Sequence, residues 1–221
     1  MKFRKTIFQT GLVAAVVLAQ GCATKPPIDY SAFRESKPRS ILVVPPLNNS
    51  PDVTATNSVL AQATLPLSES GYYVFPVSLV SEAFKQNGLT HPAEMHSVSN
   101  AKLREIFGAD AALYITIQKF GPVYTVINSE TLVVMQGRLV DLRTGRSLWA
   151  GTAQASSREG EQHQGGLAAL LVTAIVKQVL ASTFDVSHRY AGIAANRLLT
   201  AGQPNGLLFG PRSPNYGKDR Q

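Results

Sequence analysis

Ser40-Ile41-Leu42-Val43-Val44-Pro45-Pro46 is an unbroken apolar run stopped by two prolines. A short run that is apolar on both faces suits a central strand covered on both sides. Prolines have no N–H to give to a ladder, so the strand ends at Val44. Downstream, Leu47-Asn48-Asn49-Ser50-Pro51-Asp52 reads as a turn-rich loop, and Val53 to Ser70 has helical spacing with Val59, Leu60, Ala63 and Leu67 on one side. Pro66 is predicted to kink or divide that helix, and Gly71 to end it. Tyr72-Tyr73-Val74-Phe75 is a second strand closed by Pro76, its tyrosines read as covered by the core rather than as a partner surface. Ser78 is expected to cap a helix that buries Leu79, Val80, Ala83 and Phe84 and stops at Asn87-Gly88. After a polar loop, Asn100 is expected to cap a helix buried through Leu103, Ile106 and Phe107 and stopped by Gly108. Strands alternating with helices in this order predict an α/β fold, with a mixed sheet and flanking helices in two or three layers.

The second half changes period. Ala111–Phe120, Tyr124–Asn128, Thr131–Leu142 and Ser147–Ala155 are rich in β-branched and aromatic residues. Arg143-Thr144-Gly145 makes a tight connection, so Thr131–Ala155 reads as an antiparallel hairpin. Trp149, the single tryptophan, is expected to pack on the sheet or on the following helix. Leu167–Phe184 has the strongest helical pattern, but its apolar stretch ends at Lys177 after ten residues, too short to span a bilayer. Asp185 is placed as the cap of a last helix carrying Tyr190, Ile193, Ala194 and Leu198. The tail Gly206–Gln221 has no regular period, yet it carries Leu207, Leu208, Phe209 and Tyr216. Such a segment either docks on its own domain or serves a partner, and the expectation is an interface built from those four side chains.

Upstream of the first strand the chain carries an export pattern. Lys2, Arg4 and Lys5 precede the uncharged run Gly11–Ala19, and Leu18-Ala19-Gln20-Gly21-Cys22 places small residues just before a cysteine. That is a lipobox: residues 1–21 are a lipoprotein signal peptide and Cys22 is the lipid attachment site. Residues 22–39, Pro-rich and polar, read as a flexible tether, and 40–221 as one periplasmic domain. Cys22 is the single cysteine, so the mature domain is held by an ordinary core and not by disulfides. Removing the three basic residues of the leader lowers the formal charge from +7 to +4. That scattered excess excludes a nucleic-acid surface and suits a position beside anionic lipid.

No catalytic, cofactor-binding or metal site is read from the motifs. His91 and His96 flank Glu94, but i and i+5 do not share a helix face and Pro92 is taken to break any helix, so both read as solvated loop residues. His163 and His188 stand alone. Ser99-Asn100-Ala101-Lys102 has the spacing of the penicillin-binding enzymes without their Ser-Asp-Asn or Lys-Thr-Gly partners, and helix capping accounts for Ser99 and Asn100. The chain is therefore read as a non-enzyme without cofactors.

Three stretches carry a resemblance. Pro38-Arg39-Ser40-Ile41-Leu42-Val43-Val44-Pro45-Pro46-Leu47-Asn48, Gly71–Val77, and Phe107-Gly108-Ala109-Asp110-Ala111-Ala112-Leu113-Tyr114 resemble the bacterial lipoprotein family catalogued as domain of unknown function 799, the neisserial surface-antigen candidate type. Leu139–Trp149 and Gly210–Gly217 match it as well. That family is similar in turn to the TolB N-terminal domain, the curli secretion lipoprotein CsgG and the synthase activator LpoB. The resemblance implies a TolB N-terminal-like fold and an outer-membrane lipoprotein facing the periplasm, with cell-surface exposure as the other orientation. It implies an assembly or accessory role in a CsgG-like secretion or envelope complex, the partner being a CsgG-like lipoprotein or a second copy as a homodimer. The alternative is a regulator that activates a peptidoglycan synthase. A pore of the CsgG kind does not fit, because the hairpin loops are short and no aromatic girdle alternates with polar lumen residues.

Overall fold

The computed structural model describes residues 28–124, 129–159 and 183–219. The predicted export signal, Cys22, His163 and most of the predicted Leu167–Phe184 helix lie outside them. Among the described residues the helices are α1 (Ser31–Ser36), α2 (Ala55–Glu69), α3 (Val77–Gln86), α4 (Pro92–Ser97), α5 (Asn100–Phe107) and α6 (Thr183–Leu199). The strands are β1 (Ser40–Val43), β2 (Leu47–Asn48), β3 (Tyr73–Val74), β4 (Ala111–Tyr124), β5 (Ser129–Asp141) and β6 (Ser147–Ser156).

They form one six-stranded mixed sheet in the order β3-β1-β4-β5-β6, with β2 also on β4. The run that opened the sequence reading is central: β1 lies between β3 and β4, parallel to both. Leu47-Asn48, expected in a loop, is strand β2 and continues along the same edge of β4. From Ile41 to Leu47 the chain advances six residues while β4 advances five, from Ala111 to Thr116. Pro45-Pro46 absorbs the extra residue where no N–H is needed, and Val44 and Asn49 resume donation to Leu113 and Ile117 on either side. β4, β5 and β6 form the antiparallel half. The expected breaks after Phe120 and before Tyr124 do not occur, because Gly121 (φ 109°) lets β4 run through.

Helices cover both faces. On one, Ile41, Val43, Leu113, Ile115, Met135, Leu139 and Trp149 meet Val59, Ala63 and Leu67 of α2 and Ala191, Ala194 and Leu198 of α6. On the other, Leu42, Val44, Ala112, Tyr114, Val140 and Leu142 meet Val80 and Phe84 of α3, Met95 of α4 and Leu103 of α5. The expected mixed α/β fold with flanking helices is what forms.

Local corrections follow from packing. Residues 28–39 are not all tether, since α1 buries Phe33 in the main core and Tyr30 donates to the Gly206 carbonyl at 2.6 Å. Pro66 does not divide α2. It lies in the last turn, and the carbonyl it leaves at its C-terminal side accepts from both the N–H and the hydroxyl of Ser70. α3 is capped at Pro76 without help from Ser78, and its buried pair Val80/Phe84 turns Leu79 66% open to solvent. The expected polar loop contains α4, whose first residue is Pro92; at that position the missing N–H would have been unbonded anyway. Ser99, not Asn100, caps α5 by accepting from Lys102 N, and Ile106 faces out. Asp185 lies inside α6 rather than at its cap. The hairpin turn after β5 forms as read: Asp141 accepts from Arg143 N and Thr144 N at 2.8 and 2.7 Å.

The tail turns inward. Leu207 is 1% exposed, Leu208 is buried beside it, and Phe209 packs at the margin of the same core. Tyr72 donates to the Leu208 carbonyl at 2.5 Å, Gly210 N to Ser70 O at 2.8 Å and Arg212 N to Gly71 O at 3.1 Å. A Cβ on Gly71 would lie 2.4 Å from Ser213 N, so only glycine lets the two backbones approach this closely. Of the four expected interface residues, Tyr216 is the one left open. Tyr72 and Tyr73 divide as a strand requires, the first buried and the second exposed under Arg212.

Candidate functional site

β5 reads Met135-Gln136-Gly137-Arg138-Leu139, buried and exposed residues alternating with the strand's period of two. α3, α4 and α5 cover only one end of that outer face. Beyond them Thr116, Gln136, Arg138, Ala150 and Thr152 line a cleft of about 780 Å³, with His96 on one wall. The cleft passes around β6, the last strand of the sheet, to Trp149, Arg197 and the Gln203–Gly206 turn, and Ile28 stands on its rim.

Its interior is organised around Tyr114. The Arg138 guanidinium lies 5.3 Å from the Tyr114 ring centre, and the His96 ring stands edge-on at 5.2 Å. Tyr114 donates to Asn100 Oδ1 at 3.3 Å, and His96 Nε2 lies 2.9 Å from the Pro45 carbonyl. A carbonyl only accepts, so Nε2 carries the proton. Burial pushes the His96 pKa down, the Pro45 hydrogen bond opposes this, and Arg138 pushes it down further, with a net lowering. Burial likewise raises the Tyr114 phenol. At neutral pH the cleft thus offers a neutral imidazole, a neutral phenol, the hydroxyls of Thr116 and Thr152, the side-chain amides of Gln136, Gln203 and Asn205, and two guanidiniums, Arg138 and Arg197, that stay charged. Such a set binds anionic and hydrogen-bonding groups. His96 is therefore a half-buried helix residue anchored to β1's end, not a solvated loop residue; His91 is solvent-facing, as read.

His188 does not stand alone. Its Nδ1 lies 2.7 Å from Ser58 Oγ and its Nε2 2.7 Å from Gln62 Nε2. With the Gln62 amide donating to Nε2, the ring proton sits on Nδ1 and is given to Ser58, the reverse of what nucleophile activation requires. Ser58 is 4% exposed in the α2–α6 contact, so the trio ties two helices together. Among the described residues no three His, Cys, Asp or Glu side chains come together to hold a metal ion. Sequence reasoning missed Tyr114, Gln136 and Arg138. The alternation Gln136/Arg138 against Met135/Leu139 marks an open sheet face and was the available signal.

The fold and the cleft together define the class: a mixed α/β domain with helices on both faces of the sheet and a polar cleft at its last strand. The chain belongs to the family described as "Putative lipoprotein GNA1162-like", which matches residues 28–212. It is 49% identical over 203 residues to "Putative lipoprotein NMB1124/NMB1162" of Neisseria meningitidis serogroup B (strain ATCC BAA-335 / MC58), covering 90% of this chain and 94% of that one. It is similar to the crystal structure of lipoprotein GNA1162 from Neisseria meningitidis, with 51% identity, a TM-score of 0.52 and coverage of 64% of this chain and 98% of the other. The LpoB C-terminal domain from Salmonella enterica is 20% identical over 66% of this chain and 93% of that one, at a TM-score of 0.36, which carries no inference about function. Among the described residues no helix is long and apolar enough to cross a membrane.

Proposed function

We propose that this protein is a non-catalytic accessory lipoprotein, acylated at Cys22, anchored in the outer membrane with its domain facing the periplasm, and working by holding a protein partner. The observation that carries the reading is the cleft, broad, polar and open along a strand edge, whose ionisable aromatics are kept neutral. Membership of a lipoprotein family supports the anchor. The sequence resemblance supports a secretion or envelope complex of the CsgG kind as the assembly served. Chemical crosslinking of the intact lipoprotein in its own cells, followed by identification of the adducts, tests this. A secretion lipoprotein as the dominant adduct is expected. A peptidoglycan synthase as the dominant adduct would replace the assembly role with enzyme activation, and absence of any protein adduct would overturn the accessory role altogether.

A further inference from the structure

The cleft runs beside strand-edge backbone that has no hydrogen-bond partner among the described residues. Gln154 O accepts from Arg197 Nη1 at 2.7 Å, and Ser156 N donates to Glu159 Oε1 at 3.0 Å. The peptide groups of these two residues therefore point away from β5. In an antiparallel ladder alternate residues direct their N–H and C=O to the same side, and the β5–β6 register is unbroken from Ser156 to Trp149. Thr152 and Ala150 consequently point theirs outward too, and among the described residues nothing bonds to them there. Both ends of this edge are closed: the Arg197–Glu159 pair (2.6 Å) blocks one, and α1, through Glu35–Arg146 (2.6 Å), stands at the other. The gap between them spans Ala150-Gly151-Thr152, whose small side chains let another backbone approach, and it opens into the cleft. An unblocked strand edge flanked by blocked ones is a template for one added strand.

We infer that this gap binds an extended segment of a partner protein as a seventh strand, and that the segment carries an Asp or Glu whose carboxylate is taken by Arg138. The inference rests on the accessory role proposed above and names its surface. Charge decides the occupant. Among the described residues none that lines the cleft is acidic, while Arg138, paired in register with Ala150, is exposed and has Tyr114 as its described stacking partner. Neighbouring strands lie about 4.8 Å apart, so an added strand runs about 10 Å from β5, and the Arg138 side chain, swung from Tyr114 on β4 over the Ala150 methyl on β6, spans that distance to a carboxylate on it. A second copy paired edge to edge would bring two such clefts together, each with cations and, among its described lining residues, no carboxylate.

Panning the intact lipoprotein in detergent against a phage-displayed library of random linear peptides tests this. The expected result is enrichment of peptides with alternating β-branched residues and an acid at one fixed position. Thr152→Pro, which removes an edge N–H, and Arg138→Glu should each weaken the selected peptide by about tenfold or more. Arg138→Glu is an exposed-face change that leaves the fold intact, and it should shift the selected acid to Lys or Arg. Acid-free consensus peptides, or binding indifferent to both variants, would overturn the inference. So would a sedimentation dimer abolished by Thr152→Pro without peptide enrichment, which would give the edge to a second copy. If crosslinking captures a partner but never through positions 150–152, the strand-addition claim fails while the accessory role stands.

Discussion

Trp149 lies over two glycines, and the arrangement explains three residues at once. Gly137 and Gly151 face each other across β5 and β6, and a Cβ on Gly151 would sit 2.3 Å from the indole ring. The ring fills the place of two missing side chains and its Nε1 donates to Asn205 O at 3.0 Å. Trp149→Ala should therefore cost about 3–5 kcal/mol, and Gly151→Ala about 1–3 kcal/mol through overpacking, both read from denaturant unfolding. An unchanged midpoint for Gly151→Ala would show that the ring moves aside freely. That the tryptophan is buried was legible, since a lone large aromatic in an antiparallel strand seeks cover. That two glycines receive it was not, because register, not local composition, brings them together. His96 supplies a second test at this scale. Its folded-state pKa lies below the ordinary value of 6.5, so the unfolded chain binds the extra proton. Stability should fall as pH drops through and below that value, and His96→Gln should flatten this dependence in melts across the same range. A variant that keeps the full slope would assign it to other groups.

Elements were legible wherever one face was buried. β1 declared itself by an apolar run on both faces, and the β5–β6 hairpin by its period and its Asp141–Gly145 turn. What escaped was structure held by contacts distant in sequence. β2 is two residues long and exists because β4 is already there to accept it. α4 was hidden by reading Pro92 as a breaker when it is a start. The tail has no period because it follows the surface of α2, β3 and the α6 end rather than a lattice of its own, donating to the Ser70 and Gly71 carbonyls and accepting from the Tyr72 hydroxyl. Its removal is thus a stability experiment. Leu207→Ala alone should cost about 2–5 kcal/mol, a large part of a typical domain's 5–15 kcal/mol. Deleting residues 207–221 should lower the melting temperature sharply. A truncated domain that melts normally but sediments as a smaller assembly would restore the interface role first expected of these residues.

At the scale of the whole molecule the early start of the domain matters. A tether running to residue 39 would let the domain stand roughly 60 Å from its lipid, at about 3.3–3.6 Å per residue. With Ile28 already on the cleft rim and Phe33 in the core, only residues 22–27 separate the proposed acyl anchor from the fold. Their reach is at most about 20 Å. An anchor at Cys22, as proposed, would therefore hold the cleft within a short distance of the bilayer, where a membrane-bound partner would present its own surface segments. Two variants separate anchoring from height. Cys22→Ala should abolish palmitate labelling, leave the precursor unprocessed and remove the protein from the outer-membrane fraction. Inserting about twenty Gly/Ser residues between Pro27 and Ile28 adds roughly 25 Å of mean reach and leaves the lipobox intact. That variant should be acylated and sorted normally, yet crosslink to its partner more weakly, because a flexible tether spreads the cleft over a larger volume and dilutes it at the partner's height. Equal crosslinking from the lengthened protein would show that the short tether has no part in partner capture.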